Sequence, residues 1–151
     1  MPEALVKFSA AEHIRFGIGG GADGDLTGDT QNEFLPVIVV PISGSSTYYR
    51  KIFVENLDTV PYYKWKISVE SNRPEVDAQV AFEPNPDNFI RNAQIAPQGV
   101  SNWGKDINGL SLNIPLFGPN ETITFWLKIT ASPAAEKYST YTITLTFEGY
   151  S

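Results

Sequence analysis

The chain holds one histidine, His13, and no cysteine, which narrows the available chemistry at once. A cysteine nucleophile, a thiolate zinc site and a disulfide all need a residue this chain lacks. A serine–histidine pair would have only His13 to lean on. His13 follows Glu12 at the edge of a stretch that alternates like a strand, where a surface or packing role is expected. The run Gly17-Ile18-Gly19-Gly20-Gly21-Ala22 matches the glycine spacing of a dinucleotide fingerprint. That motif works by opening a helix whose N-terminus holds a pyrophosphate, and the Gly- and Asp-rich residues that follow would not continue a helix. Asp23, Asp25, Thr27, Gly28 and Asp29 set oxygens and a glycine at the spacing of a calcium loop, which makes Asp23, Asp25 and Asp29 the metal candidates. The bidentate glutamate due at the loop's last position falls on Phe34, with Glu33 one place short, so a solvated acidic loop is the expectation. Glu55, Glu70 and Glu83 lie near strand ends, but nothing selects the facing pair that glycoside hydrolysis requires. No catalytic residue and no cofactor are assigned; the chain reads as a non-enzyme.

Large aromatic side chains are the other residues that could act on a partner. Trp126 belongs to the face opposite Phe125 and Leu127, Tyr62 opposes Tyr63 and Trp65, and either Tyr48 or Tyr49 must turn away from its neighbour's face. Aromatics on a nominally wet face often anchor a partner, because they bury much area at low entropy cost. The alternative is that a second layer or the long loops cover them. Trp126, Tyr62 and Tyr48, with Phe8 and Leu5 near the N-terminus, are the candidate partner-binding residues.

The elements that would carry these side chains are strands. Thr140 to Gly149 reads TYTITLTFEG, with Tyr141, Ile143, Leu145 and Phe147 on one face and threonines on the other. Successive strand side chains alternate faces, so this is a half-buried strand. Ile123, Phe125, Leu127 and Ile129 repeat the pattern, as do Tyr63, Trp65, Ile67 and Val69, then Ala78, Val80 and Phe82. Further strands are predicted at His13–Ile18, Phe34–Ile42 and Thr47–Glu55, with one more at Phe89–Ile95 and a run through Leu110, Leu112, Ile114 and Leu116. Ser132 to Lys137 is read as closing a last hairpin. Residues 1–12 are expected as an arm or edge strand, and residues 13–151 as one domain with a long Gly/Asp-rich loop over 17–33. The fold class this implies is all-β, an antiparallel β-sandwich of immunoglobulin-like type, with a jelly roll as second choice.

Bulk properties agree with a binding or structural role. A net charge of −6 would repel a phosphate backbone, and no cluster of Lys and Arg offsets it, so nucleic acid is not an expected partner. No stretch approaches the length of apolar residues that a membrane span needs, and the N-terminal residues do not read as a signal peptide. Asn120-Glu121-Thr122 forms a glycosylation sequon, read here as a hairpin turn.

The order of segments prompts a family comparison. A Gly/Asp-rich early segment leads to STYYRKIFVENLDTVPYYKWKISVES, then to the loop bearing Ala96-Pro97-Gln98-Gly99-Val100, then to LFGPNETITFWLKITASPAAEKYST and a closing YTITLTFEG. Over residues 13 to 149 this resembles virion structural proteins encoded among the head and tail genes of tailed bacteriophages, of the small β-sandwich capsid decoration (cement) type. Similar proteins carry a Tyr-Arg-Lys/Cys-Ile-Phe-Val-x-Asn strand, an aromatic-Trp strand, an Ala/Tyr-rich hairpin and an Glu-Gly finish. The chain differs in its longer Gly/Asp segment and in Glu83 to Asn92, which keeps tail or baseplate placement open beside the head. The resemblance implies a protein assembled in the host cytoplasm and placed on the capsid exterior. Its partners would be the major capsid protein or other virion proteins, and it would act as a homo-oligomer, a trimer by guess. A carbohydrate-binding or lectin-like module, stacking sugars on Trp126, Tyr62 and Tyr48, is the alternative from another class.

Overall fold

The computed structural model describes residues 3–19, 26–27, 33–35, 44–85, 87–88, 90, 93–135 and 140–151. The described residues form strands and no helix: β1 (Glu3–Ser9), β2 (Ile14–Gly19), β3 (Leu26–Thr27), β4 (Glu33–Leu35), β5 (Ser46–Asn56), β6 (Tyr62–Ser71), β7 (Val76–Phe82), β8 (Asp106–Asn108), β9 (Leu116–Phe117), β10 (Thr122–Ala131) and β11 (Thr140–Tyr150). They build two sheets. One has the order β4-β1-β11-β6-β8, with β9 also paired to β6; the other has the order β3-β2-β5-β10-β7. The expected β-sandwich is what the chain forms.

The period-two patterns decide which faces meet. Ile123, Phe125, Leu127 and Ile129 of β10 and Tyr141, Ile143, Leu145 and Phe147 of β11 are all buried in one cluster with Ile52, Val54, Trp65, Ile67 and Phe16. Each such side chain contributes about 1.5–3 kcal/mol on leaving water, before conformational entropy is set against it. Aromatic contacts knit the layers: Phe8 stacks on Phe16 with centroids 5.1 Å apart, and Phe147 lies between Tyr62 and Phe117 at 5.9 and 5.7 Å.

Connectivity departs from simple hairpins. Consecutive strands β5, β6 and β7 switch sheets twice, and β10 and β11 lie in different sheets. The turn after β10 is therefore a crossing between layers rather than the expected hairpin. In an immunoglobulin sandwich the last two strands share a sheet; here β10 and β11 do not. The sheets are also mixed, because β1 runs parallel to β11 from Glu3↔Thr140 to Ser9↔Thr146. That pairing places residues 3–9 inside the six-stranded sheet, between β4 and β11, and not in a free arm.

Three other expectations are corrected. In β6 the alternation slips: Tyr62 is buried and Tyr63 exposed. Lys64 and Trp65 together oppose Gly149, because β6 and β11 pair at Lys66↔Glu148 and next at Tyr63↔Tyr150. Lys64 takes φ of 51° to make this bulge, and an extra residue reverses the phase of everything before it. Residues 110–113 are a turn, and 114–115 pair in no strand. Asn108 Oδ1 accepts the Ser111 N–H at 2.9 Å, and Asn113 adopts φ of 58°; only Leu116 and Phe117 pair as β9. Described residues 93–95 form a turn where a strand was expected. Of the Phe34–Ile42 strand, residues 34 and 35 belong to β4, and 36–42 lie outside the described residues.

Candidate functional site

The two outer faces of the sandwich are treated very differently. On the outer face of the five-stranded sheet, Lys51 and Phe53 of β5, Thr124 and Trp126 of β10 and Ala81 of β7 are all buried. The segment after β7 covers them. Lys51, only 3% exposed, donates to the Asn88 carbonyl at 2.5 Å. The Trp126 indole N–H donates to Glu83 Oε1 at 3.2 Å, and the Tyr49 N–H donates to the Ala93 carbonyl at 2.7 Å. Tyr49 packs on Trp103 with centroids 5.6 Å apart, and the Lys128 ammonium sits 4.8 Å from the Trp103 centroid. Lys51 lies over Phe53 and Trp126 at 5.5 and 6.0 Å, where cation–π attraction partly replaces lost hydration. Burial pushes the Lys51 ammonium pKa below its ordinary 10.5, against the opposing pull of Glu83 and Asp87.

This second layer decides the fate of the predicted aromatic anchors. Trp126 is 1% exposed, so it anchors the chain's own cover and not an outside partner. Tyr62 is buried by the β6 bulge and packs edge-on against Phe147. Phe8 stacks on Phe16, and Tyr48 packs partly buried against the core. Leu5 is half-buried and pairs with Thr142. Because Thr142 belongs to the solvent side of β11, Leu5 is the one predicted anchor that lies on the outer face of the six-stranded sheet. Asp23, Asp25 and Asp29 lie outside the described residues.

The outer face of the six-stranded sheet carries no such cover among the described residues. Its centre is Thr142, Thr144 and Thr146 of β11, flanked by Leu5, Lys7 and Ser9 of β1 and by Glu70, Ser68 and Lys66 of β6. At one end Tyr150, Tyr63 and Leu116 stand directly opposite one another across β11, β6 and β9. Directly opposed residues share a face, and these three are 70%, 51% and 41% exposed. The result is a surface with hydroxyls at its centre, charged side chains of Lys7, Lys66 and Glu70 beside them, and an exposed aromatic row at one end. The bulge at Lys64 creates the row by turning Tyr63 outward. Reading β6 as unbroken alternation hides Tyr63; Tyr150 was legible, since it lies three residues beyond the buried Phe147 and so on the opposite face.

The corner behind this row is braced by a hydrogen-bonded pair. The Tyr62 hydroxyl donates to Asp58 Oδ2 at 2.9 Å, and the Thr59 N–H donates to Asp58 Oδ1 at 2.7 Å. These bonds, the tyrosine's first, hold the Asp58 carboxyl below its ordinary 3.8. The Tyr62 phenol is raised above 10.0 by burial and then by the same bond. Among the described residues no three His, Asp or Glu side chains gather as a metal site would require.

Comparison with known proteins adds little to this geometry. No protein-family model and no curated protein matches the chain. Among solved structures, one described as AvmM, which catalyzes macrocyclization in alchivemycin A biosynthesis, is similar. It is 10% identical, with 93% of this chain and 89% of that chain covered, at a TM-score of 0.45. At that identity and score the likeness bears on neither activity nor partner.

Proposed function

We propose that the chain is a non-enzymatic structural protein of a tailed-phage virion, which binds the capsid surface and reinforces it as a decoration protein. Two independent lines support this reading. The strand-by-strand sequence resemblance points to virion proteins, and one outer face carries no cover among the described residues. The observation that carries the proposal is the contrast between the faces: one sheet is roofed by the chain's own second layer, while the other, among the described residues, presents threonines and serines with Lys7, Lys66 and Glu70 beside them and the Tyr150–Tyr63–Leu116 row at one end. Short hydroxyl side chains lose little rotamer freedom when covered, and exposed tyrosines are favoured interface anchors. The docking partner is a coat subunit, and repeated copies on a lattice multiply a modest single-site affinity.

Tyr63→Ala with Tyr150→Ala tests the proposal directly. The double variant is expected to melt close to the parent, because both side chains stand in water. Its co-sedimentation with undecorated phage shells should fall at least about tenfold, the loss typical of removing a 1.4 kcal/mol contact or more. Parent protein that fails to associate with any phage shell or tail would sink the assignment. The sugar-stacking alternative loses its original platform, since Trp126 and Tyr62 are buried.

A further inference from the structure

A cleft of about 400 Å³ opens at one end of the sandwich, between the loop ending in Asn102 and the turn that follows β8. Its floor is apolar, from Phe82, Ile107 and Leu112. Its polar lining residues are uncharged except for one: Ser101 and Asn102 come from one side and Asn108 and Ser111 from the other, with Asp106 as the single acidic residue. We infer that this cleft is a binding site for a neutral, hydroxyl-rich ligand, a saccharide of one or two rings. The proposal stands apart from the virion reading: Asp106 and Asn108 pair with Ser68 and Lys66 at the edge of the open sheet, but the cleft uses neither Tyr63 nor Tyr150.

The rim chemistry selects the ligand class. Carboxamides donate and accept in one group, and hydroxyls do the same, so the rim can match the mixed donor–acceptor pattern of a sugar edge. An apolar floor beneath a few convergent polar groups is the usual form of a small-ligand site, and this volume falls in the usual range. Among the described residues no Lys or Arg lines the cleft. The nearby Lys105 is turned to Asp77 and to the Ala78 carbonyl at 2.6 Å. An anionic ligand would therefore meet Asp106 without a compensating cation. A purely apolar ligand would strand the rim groups without partners.

Both walls are fixed before any ligand arrives. Gly104 exchanges backbone hydrogen bonds with Val80 at 2.8 and 3.0 Å, tying the first wall to β7. Gly99 and Asn102 take φ of 73° and 62°, which curls that wall over the floor. The second wall is locked by Ile114 N–H to the Gly109 carbonyl at 2.7 Å and by the Trp65 indole to the Ile114 carbonyl at 2.7 Å. The side chains of Ser101 and Asn102 have no hydrogen-bond partner among the described residues. A preformed site with unoccupied polar groups loses little entropy on binding.

The test is a two-dimensional amide NMR titration with maltose, chitobiose and N-acetyllactosamine, and with a sulfated heparin disaccharide as the anionic control. At least one neutral probe should shift amides of residues 99–102 and 106–112, and the heparin disaccharide should not. Asn102→Gly removes the carboxamide and keeps the left-handed backbone; Leu112→Trp fills the floor. Each is expected to weaken binding about tenfold or more, with an otherwise unchanged spectrum and unchanged shell docking. No shift with any neutral probe, tighter binding of the heparin disaccharide, shifts centred on Tyr63 and Tyr150, or affinity unaffected by both variants would each overturn the inference. Loss of shell docking in Tyr63→Ala/Tyr150→Ala with saccharide shifts intact would separate this site from the open face.

Discussion

Single residues hold this fold at positions where composition gives no warning. Gly109 is one. A Cβ built there would lie 2.9 Å from Trp65 Cε2 and closer still to the Ile114 carbonyl oxygen, the two groups that hydrogen-bond each other at 2.7 Å. Neither can yield without breaking the other's partner. Gly109→Ala is expected to lower stability by about 1–3 kcal/mol, the usual range for overpacking, which a urea melt would register as a lower midpoint with an unchanged slope. The Asp58–Tyr62 pair makes a separate prediction in pH. A carboxyl whose folded pKa lies below 3.8 stabilises the fold above 3.8, and that contribution disappears as pH falls through the folded value. Tyr62→Phe removes the principal bond, so the Asp58 carboxyl should titrate nearer 3.8 in a carbon-detected NMR experiment. The stability gap between parent and variant should then narrow as pH drops below 3.8. A gap that stays constant down to the lowest pH would assign the tyrosine's effect to packing alone.

At the scale of elements, the strands with unbroken alternation were legible and those with a backbone irregularity were not. All four inward residues of β10 and all four of β11 were readable from their spacing, because a slip of one residue would send every one of them to the opposite face of its sheet. The β6 bulge was invisible for the opposite reason: Lys64 carries no mark of a left-handed backbone, and only its pairing with β11 requires one. Lys64 at φ of 51° gives this a testable form. A non-glycine residue in that region costs on the order of 1 kcal/mol, and a β-branched one more. Lys64→Gly should hold or raise stability by up to about 1 kcal/mol, whereas Lys64→Val should lower it by about 1–2 kcal/mol, as read from chemical denaturation. Equal stability of the two would remove backbone strain as the bulge's signature. The second layer over β5 and β10 was half legible. The outward placement of Trp126 followed from alternation, but its cover depends on contacts more than thirty residues apart, such as Lys51 to Asn88 and Trp126 to Glu83. No local pattern reports such contacts.

On the scale of the whole molecule, the asymmetry of the two outer faces is the property that points toward a partner. A sandwich needs only its inner faces to be stable, so covering one outer face and leaving the other open is a second decision made by the chain. The roofed side uses a buried lysine, a buried glutamate and an indole that hydrogen-bond within the chain, which commits those groups to the fold. The open side centres on threonine, serine and tyrosine, groups that fit equally in water or against another protein, with Lys7, Lys66 and Glu70 beside them. Thr144 sits at the centre of that side, between Lys7 of β1 and Glu70 of β6. Thr144→Arg places a long cation in the middle of the face while leaving the core untouched, so stability should change by no more than about 0.5 kcal/mol. If this face seats a coat subunit, shell co-sedimentation should collapse, because a long charged side chain would have to be accommodated and desolvated at the contact, even with Glu70 opposite it. Ile95, 61% exposed on the roofed side, supplies the matched control: Ile95→Arg adds the same charge elsewhere and should dock like the parent. Equal docking by both variants would move the contact off the open sheet, and loss in Ile95→Arg alone would place it on the roof.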